Sequence, residues 1–191
     1  MEKFQINYEI LDEKENEHIP YKEFIEWIET VVFAFFVVIL VFTFILRQVN
    51  VEGESMVPTL ADGDRLIVHH LFYTPQKGDI VIVDSLGLNK PIVKRVIATG
   101  GDTIDIDFHT GTVKLNGTVL EEDYINDLTK LDEGGQNYPV TVPQGYYFVM
   151  GDNRMNSKDS RSADVGLVSD DEIAGKAVFR LFPASGFGKL E

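Results

Sequence analysis

From Val31 to Leu46 every side chain is apolar except Thr43. As an α-helix this run spans roughly 24 Å at about 1.5 Å per residue, a little short of the ~30 Å hydrocarbon layer. Trp27 and Ile28 extend it, and Trp27 suits a membrane–water interface. The run has no polar face and several consecutive bulky residues, which argues against the core helix of a soluble domain. A cleaved export signal fits poorly as well, because the region ahead is long and acidic and no small-residue cleavage site follows. The pattern predicts an uncleaved transmembrane anchor over 30–47, preceded by an acidic arm over 1–29 that ends in an amphipathic stretch at Tyr21 to Ile28. Lys14 and Lys22 lie before the anchor and Arg47 directly after it, so the Lys/Arg bias does not decide its orientation.

Beyond the anchor the periodicity changes. Arg65–His69, Asp79–Val83 and Ile92–Ile97 are β-branched runs, and Thr103–Asp107 alternates with period two, as a half-buried strand does. Val113–Leu120 carries Asn116-Gly117 between alternating flanks, a strong hairpin signal. Tyr146–Met150 and Ala174–Phe182 supply later strands. Breakers recur at Asp62-Gly63, Lys77-Gly78, Gly100-Gly101 and Gly134-Gly135. Residues 121–139 read as an acidic loop or small insertion. No helical pattern of useful length follows residue 47 and no internal repeat is present. The predicted architecture is therefore one N-terminal transmembrane helix and a mainly β, antiparallel domain over 48–191.

Composition narrows the chemistry. A chain of 191 residues holds the anchor and one domain of ordinary size, and its net charge of −14 makes nucleic acid an unsuitable partner. There is no cysteine, which removes disulfide scaffolds, thiol nucleophiles and thiolate metal sites.

Three segments carry candidate chemistry. The first is Gly53-Glu54-Ser55-Met56-Val57-Pro58-Thr59-Leu60, a serine just past the anchor, where a reactive group would meet substrates held in the bilayer. A serine hydroxyl needs a base to take its proton. His18 lies on the far side of the anchor, His69 and His70 end a strand, and His109 sits in a turn; none has a distinctive setting. The second is Lys94, inside Pro91-Ile92-Val93-Lys94-Arg95-Val96-Ile97. Lys94 and Arg95 cannot share one face of a strand, so one of them meets the apolar side or a cleft cut into it. Burial disfavours the ammonium form; lowering its pKa from about 10.4 to about 7 takes roughly 4 to 5 kcal/mol. A solvated lysine on an edge strand is the alternative that periodicity leaves open. The third is the polar loop Gly151 to Arg161, whose hydroxyls, carboxylates and guanidinium groups follow an apolar strand and suit the support of a base.

Together these segments resemble the type I signal peptidases, membrane-anchored serine proteases that remove signal peptides. The serine block is Gly53 to Leu60. The lysine block is Val93-Lys94-Arg95-Val96-Ile97, running on to Gly100-Gly101-Asp102. Gly78-Asp79-Ile80-Val81 and Gly151 to Arg161 match two further blocks, all in family order. The resemblance implies a Ser55 nucleophile, a Lys94 general base and a Ser157 hydroxyl that orients the amine, with no metal or cofactor. It implies that Asp152 pairs with Arg95 and Asp159 with Arg161. The oxyanion would rest on the Ser55 backbone N–H and a second donor, with the Gly53 region as one candidate. Val51, Met56, Leu60 and Val93 would line shallow pockets for an Ala-x-Ala-like site. The partners implied are preproteins carrying signal peptides and the lipid bilayer, with the N-terminus cytoplasmic and the catalytic domain outside.

The chain departs from the family pattern at Met155, where Asp is usual, and at Ala98-Thr99-Gly100, where Gly-Leu-Pro is more usual. Gly53 replaces the serine that some members use as an oxyanion donor. The glycine form accompanies the short single-anchor layout of Gram-positive-type members, which this chain shares. Two other readings stand beside this one. A self-cleaving Ser-Lys protease of the repressor type would share the pair of residues, but such proteins are soluble. A membrane-tethered, non-catalytic peptide-binding β domain would keep the blocks without using them.

Overall fold

The computed structural model describes residues 20–44 and 46–190. Helix α1 covers Pro20–Phe44. Pro20 opens it, where a missing backbone N–H costs nothing. Within α1, Tyr21–Val41 is long and apolar enough to cross a membrane, and large side chains such as Trp27, Phe33 and Phe36 are exposed.

The expected boundaries, an arm ending at residue 29 and an anchor over 30–47, are corrected at both ends. No glycine or second proline separates Tyr21–Ile28 from the apolar run, so the helix propagates through both, each added residue gaining a hydrogen bond. At the other end Arg47 belongs to a strand and pairs with Val68. The rest of the acidic arm, with His18 and Lys14, lies outside the described residues.

From Leu46 onward the chain is a β domain. In chain order its strands are β1 (Leu46–Asn50), β2 (Arg65–His69), β3 (Ile80–Ser85), β4 (Lys90–Thr99), β5 (Thr103–Asp107) and β6 (Thr112–Leu115). There follow β7 (Thr118–Val119), β8 (Val140–Thr141), β9 (Tyr146–Met150), β10 (Val168–Ser169), β11 (Ile173–Phe182) and β12 (Gly188–Lys189). One sheet runs β1-β2-β11-β3-β4-β9-β10, with β12 on β11; the other runs β7-β6-β5-β8. The strand pairs are antiparallel throughout. The β6–β7 turn is the expected Asn-Gly hairpin: Leu115 pairs with Thr118, and Asn116 and Gly117 both take positive φ, 52° and 82°, as a type I′ turn requires.

β4 decides where the site lies. It is paired to β3 from Lys90 to Arg95 and to β9 from Arg95 onward, so Lys94 has a strand neighbour on the β3 side, and its burial rules out the solvated-lysine alternative. One face of the sheet packs on Met56, Leu60, Leu66, Ile82 and Val93; the other packs Val81, Val83, Val96 and Val149 together. A strand covered on both faces buries both of two adjacent cations, and Lys94 and Arg95 are each 3% exposed.

Candidate active site

The Ser55 loop follows β1 and is held from beneath. Val51, Met56 and Leu60 are buried in the core, and Leu60 N–H donates to Met56 O at 2.9 Å, closing a single turn with Ser55 just ahead of it. Burying each of these side chains is worth roughly 1.5 to 3 kcal/mol, so the loop is a fixed platform. This corrects their expected role: three of the four residues expected to line substrate pockets are the platform's roots. They could not be told apart by sequence, because an apolar residue beside a nucleophile looks the same whether it faces substrate or core. Val93 alone of the four lines the cleft.

That cleft has a volume of about 360 Å³. Its apolar lining comes from Val49, Ile82, Leu88, Pro91, Ile92 and Val93, with Ser55 and Lys94 in the wall. Among the described residues no histidine lines it.

β4 carries Lys94 Nζ to 2.8 Å from Ser55 Oγ, and the amine also donates to the carbonyl of Val93 at 2.9 Å. Burial pulls the Lys94 pKa down from 10.5 to about 8. The carboxylates of Asp159 and Asp152 work against this shift, and the cations Lys90 and Arg161 add to it. The cause is thus desolvation of the ammonium, which has lost water and gained no carboxylate of its own.

The loop Gly151 to Arg161 closes over this pair. Asn153 N–H donates to Ser55 O at 3.0 Å, and Asn153 Nδ2 to Glu54 O at 3.1 Å. Gly151 passes so close that a Cβ there would collide with Ser157 Oγ and Ser55 O. Arg95 forks onto both oxygens of Asp152, at 2.9 and 2.7 Å, and Thr59 Oγ1 donates to Asp152 Oδ2 at 2.6 Å. Arg161 makes the same two-pronged contact with Asp159, at 2.8 Å on each oxygen. Burial alone would raise the Asp159 pKa, but the Arg161 guanidinium fixed against it and hydrogen bonds from Gly151 and Ser157 outweigh that burial and hold it down.

One expected contact is absent. Ser157 was assigned to the Lys94 amine, but its hydroxyl donates to Asp159 Oδ2 at 2.8 Å. An ionised carboxylate is the stronger acceptor, and Lys94 turns to Ser55 and Val93 instead. In the Gly53 region, the Gly53 N–H donates to Asp62 Oδ1 at 2.7 Å. Among the described residues the Ser55 N–H donates to no protein acceptor.

The departures at Met155 and Ala98-Thr99-Gly100 have local accounts. Met155 is 45% exposed, on the outside of the loop, so no buried partner is left unsatisfied there. The turn after β4 is closed by Asp102, whose Oδ2 accepts from both the backbone and the hydroxyl of Thr99 at 3.0 Å. Asn153, Thr59 and the residues around Arg154 were not singled out from sequence. The dense polar loop pointed toward Asn153; nothing local distinguished the others.

A hydroxyl and a desolvated amine in hydrogen-bond contact, set in a cleft on a β domain behind an apolar helix, define a membrane-anchored serine-type peptidase. The profile of the family described as "Signal peptidase, peptidase S26" matches residues 24–182. Signal peptidase I of Bacillus licheniformis is 38% identical over 175 residues, 87% of this chain and 92% of that one. Signal peptidase IB of Staphylococcus aureus is 36% identical over 183 residues, 87% of this chain and 93% of that one. A crystal structure of a signal peptidase I from Enterococcus faecalis V583 is 31% identical, with a TM-score of 0.44 over 55% of this chain and 97% of that one. The chain belongs to the signal peptidase family. A match along most of the chain to these peptidases leaves the repressor-type and non-catalytic readings unsupported.

Proposed function

We propose that this signal peptidase cleaves preproteins with a Ser55–Lys94 dyad. The observation that carries the reading is the 2.8 Å separation of Oγ and Nζ, with the amine buried and its pKa brought down to about 8. Near pH 7 about a tenth of such amines are neutral. In that form the Ser55 O–H donates to the nitrogen lone pair, and Lys94 takes the proton as Oγ attacks the scissile carbonyl carbon. The oxyanion forms against the Ser55 N–H. Protonated Lys94 then gives its proton to the leaving amine, and the bond to the mature chain breaks. A water, deprotonated by the same amine, hydrolyses the acyl-enzyme and restores Ser55. Gly53 N–H becomes a second oxyanion donor only by leaving Asp62, and one such donor is worth roughly 3 kcal/mol.

Asp152 with Arg95 and Asp159 with Arg161 hold the covering loop, and Ser157 acts on Lys94 through Asp159. The substrates are preproteins held in the bilayer by signal peptides and cut at Ala-x-Ala-like sites, with small side chains entering the cleft beside Val93. The N-terminus lies in the cytoplasm and the β domain on the extracytoplasmic face, as the resemblance to type I signal peptidases implies. The test is cleavage of a preprotein by purified Ser55→Ala and Lys94→Ala variants. Each is expected to lose turnover; wild-type turnover by either refutes the dyad.

A further inference from the structure

Three arginines around the covering loop are withdrawn from water: Arg95, Arg154 and Arg161. A buried guanidinium persists only where carboxylates and carbonyls replace its hydration. Arg95 and Arg161 find their carboxylates within the loop, in Asp152 and Asp159. Arg154 finds its carboxylate elsewhere. Its Nη1 and Nη2 fork onto Glu122 at 2.9 and 2.6 Å, and Nη1 also donates to Thr129 Oγ1 at 2.9 Å. Both partners come from the segment between β7 and β8, outside every sequence block that marks the site. Two residues on, Tyr124 lays its ring against the Arg95 guanidinium, 4.1 Å away, and 5.9 Å from that of Arg154. Its hydroxyl donates to Glu122 Oε1 at 3.0 Å. One aromatic ring thus serves the guanidinium next to Lys94 in sequence and the guanidinium next to Asn153.

The atoms they hold are those that set the nucleophile. Arg154 Nε donates to Gly151 O at 2.9 Å, which closes the turn from which Asn153 N–H reaches Ser55 O. We propose that Glu122 and Tyr124 are positioning residues for the Ser55–Lys94 pair, acting through Arg154 and Arg95 from a segment that touches neither reacting atom. The inference rests on the dyad reading above. Without Glu122, Arg154 is a buried cation with no carboxylate and moves toward water, taking Asn153 with it. The Ser55 carbonyl is then released, the Oγ–Nζ contact lengthens and water reaches Lys94. The charges that face the amine, Asp159, Asp152, Lys90 and Arg161, remain, so the change in Lys94 is one of hydration.

The experiment is preprotein cleavage by the full chain in lipid vesicles, wild type against Glu122→Ala, Glu122→Gln, Tyr124→Leu and Tyr124→Phe, with kcat, KM and the pH profile of kcat/KM for each. Displacing a reacting group by about 1 Å costs on the order of 100-fold, and Glu122→Ala is expected to lose about that in kcat with little change in KM. Its pH midpoint moves upward from the wild-type value as the amine is rehydrated. Glu122→Gln, which keeps an acceptor for Arg154, recovers part of the loss, and Tyr124→Phe, which keeps the ring, loses less than Tyr124→Leu. If losses follow only the folded fraction measured by circular dichroism, with the pH midpoint unmoved, the role is merely structural and the proposal fails. Should Glu122→Ala not fold, the midpoints of Glu122→Gln and Tyr124→Leu decide in the same way. A wild-type chain that leaves preprotein uncut, or an active Ser55→Ala, refutes the dyad reading instead.

Discussion

Lys94 Nζ lies 2.8 Å from Ser55 Oγ, and no carboxylate hydrogen-bonds that amine. A lysine in that setting is a base because it is dry. The consequence is a pH dependence with a definite sign. Below about 8 the amine is protonated, and each further pH unit removes about tenfold of the active form. kcat/KM on a fluorogenic peptide is expected to climb with pH and level off above a midpoint near 8. A rise beginning only above pH 10 means that Lys94 is an ordinary solvated lysine.

The same burial costs stability. The folded-state pKa of about 8 lies below the ordinary 10.5, so between those values the unfolded chain binds more protons and stability rises with pH. Below about 8 the penalty is present in full, and the shift corresponds to roughly 3 kcal/mol. Lys94→Met should therefore be inactive yet more stable at pH 7, by roughly 2 to 3 kcal/mol, an advantage that shrinks as pH climbs toward 10.5. Urea denaturation at pH 7 and at pH 10 measures it, and an equal difference at both counts against a desolvated amine.

Gly151 is the narrowest point of the site, since a methyl there meets Ser157 Oγ and Ser55 O. Gly151→Ala is expected to cost about 1 to 3 kcal/mol in stability by overpacking. Because the displaced atom is the carbonyl of Ser55, the proposed nucleophile, the activity loss should be on the order of 100-fold, larger than a comparably destabilising change elsewhere. Turnover corrected for folded fraction separates the two effects.

Asp152 neutralises Arg95, which is 3% exposed. Asp152→Ala strips that buried cation of the carboxylate it forks onto, an expected loss of about 3 to 5 kcal/mol. Asp152→Ala combined with Arg95→Leu should be less destabilised than Asp152→Ala, since the stranded charge is gone. A double variant as unstable as the sum of the singles shows the pair to be independent.

Much of this was readable in the chain. The apolar run, the Asn116-Gly117 hairpin and the strand around Lys94 follow from local periodicity and turn chemistry. The serine, the lysine and the polar loop stood out because their residue types suit the chemistry, and the structure brings them together. What was not legible depends on which distant elements meet. β11 inserts between β2 and β3, a pairing that no local signal encodes. Val51, Met56 and Leu60 are apolar whether they line a pocket or root a loop. Ser157 has two candidate partners, and only the fold shows that Asp159 is the one it bonds. Glu122 and Tyr124 sit where residue types alone read as an acidic loop, because their meaning comes from Arg154 and Arg95, which are distant in the chain and in contact in the fold.

Under the proposed dyad, the covering of β4 on both faces makes hydrolytic power a collective property of this domain. Ser55 and Lys94 stand 39 positions apart, and in an open chain each is chemically mute, the one an alcohol and the other a hydrated ammonium. Their 2.8 Å contact exists only once the sheet has closed, so under the proposed dyad a half-assembled domain is a harmless one.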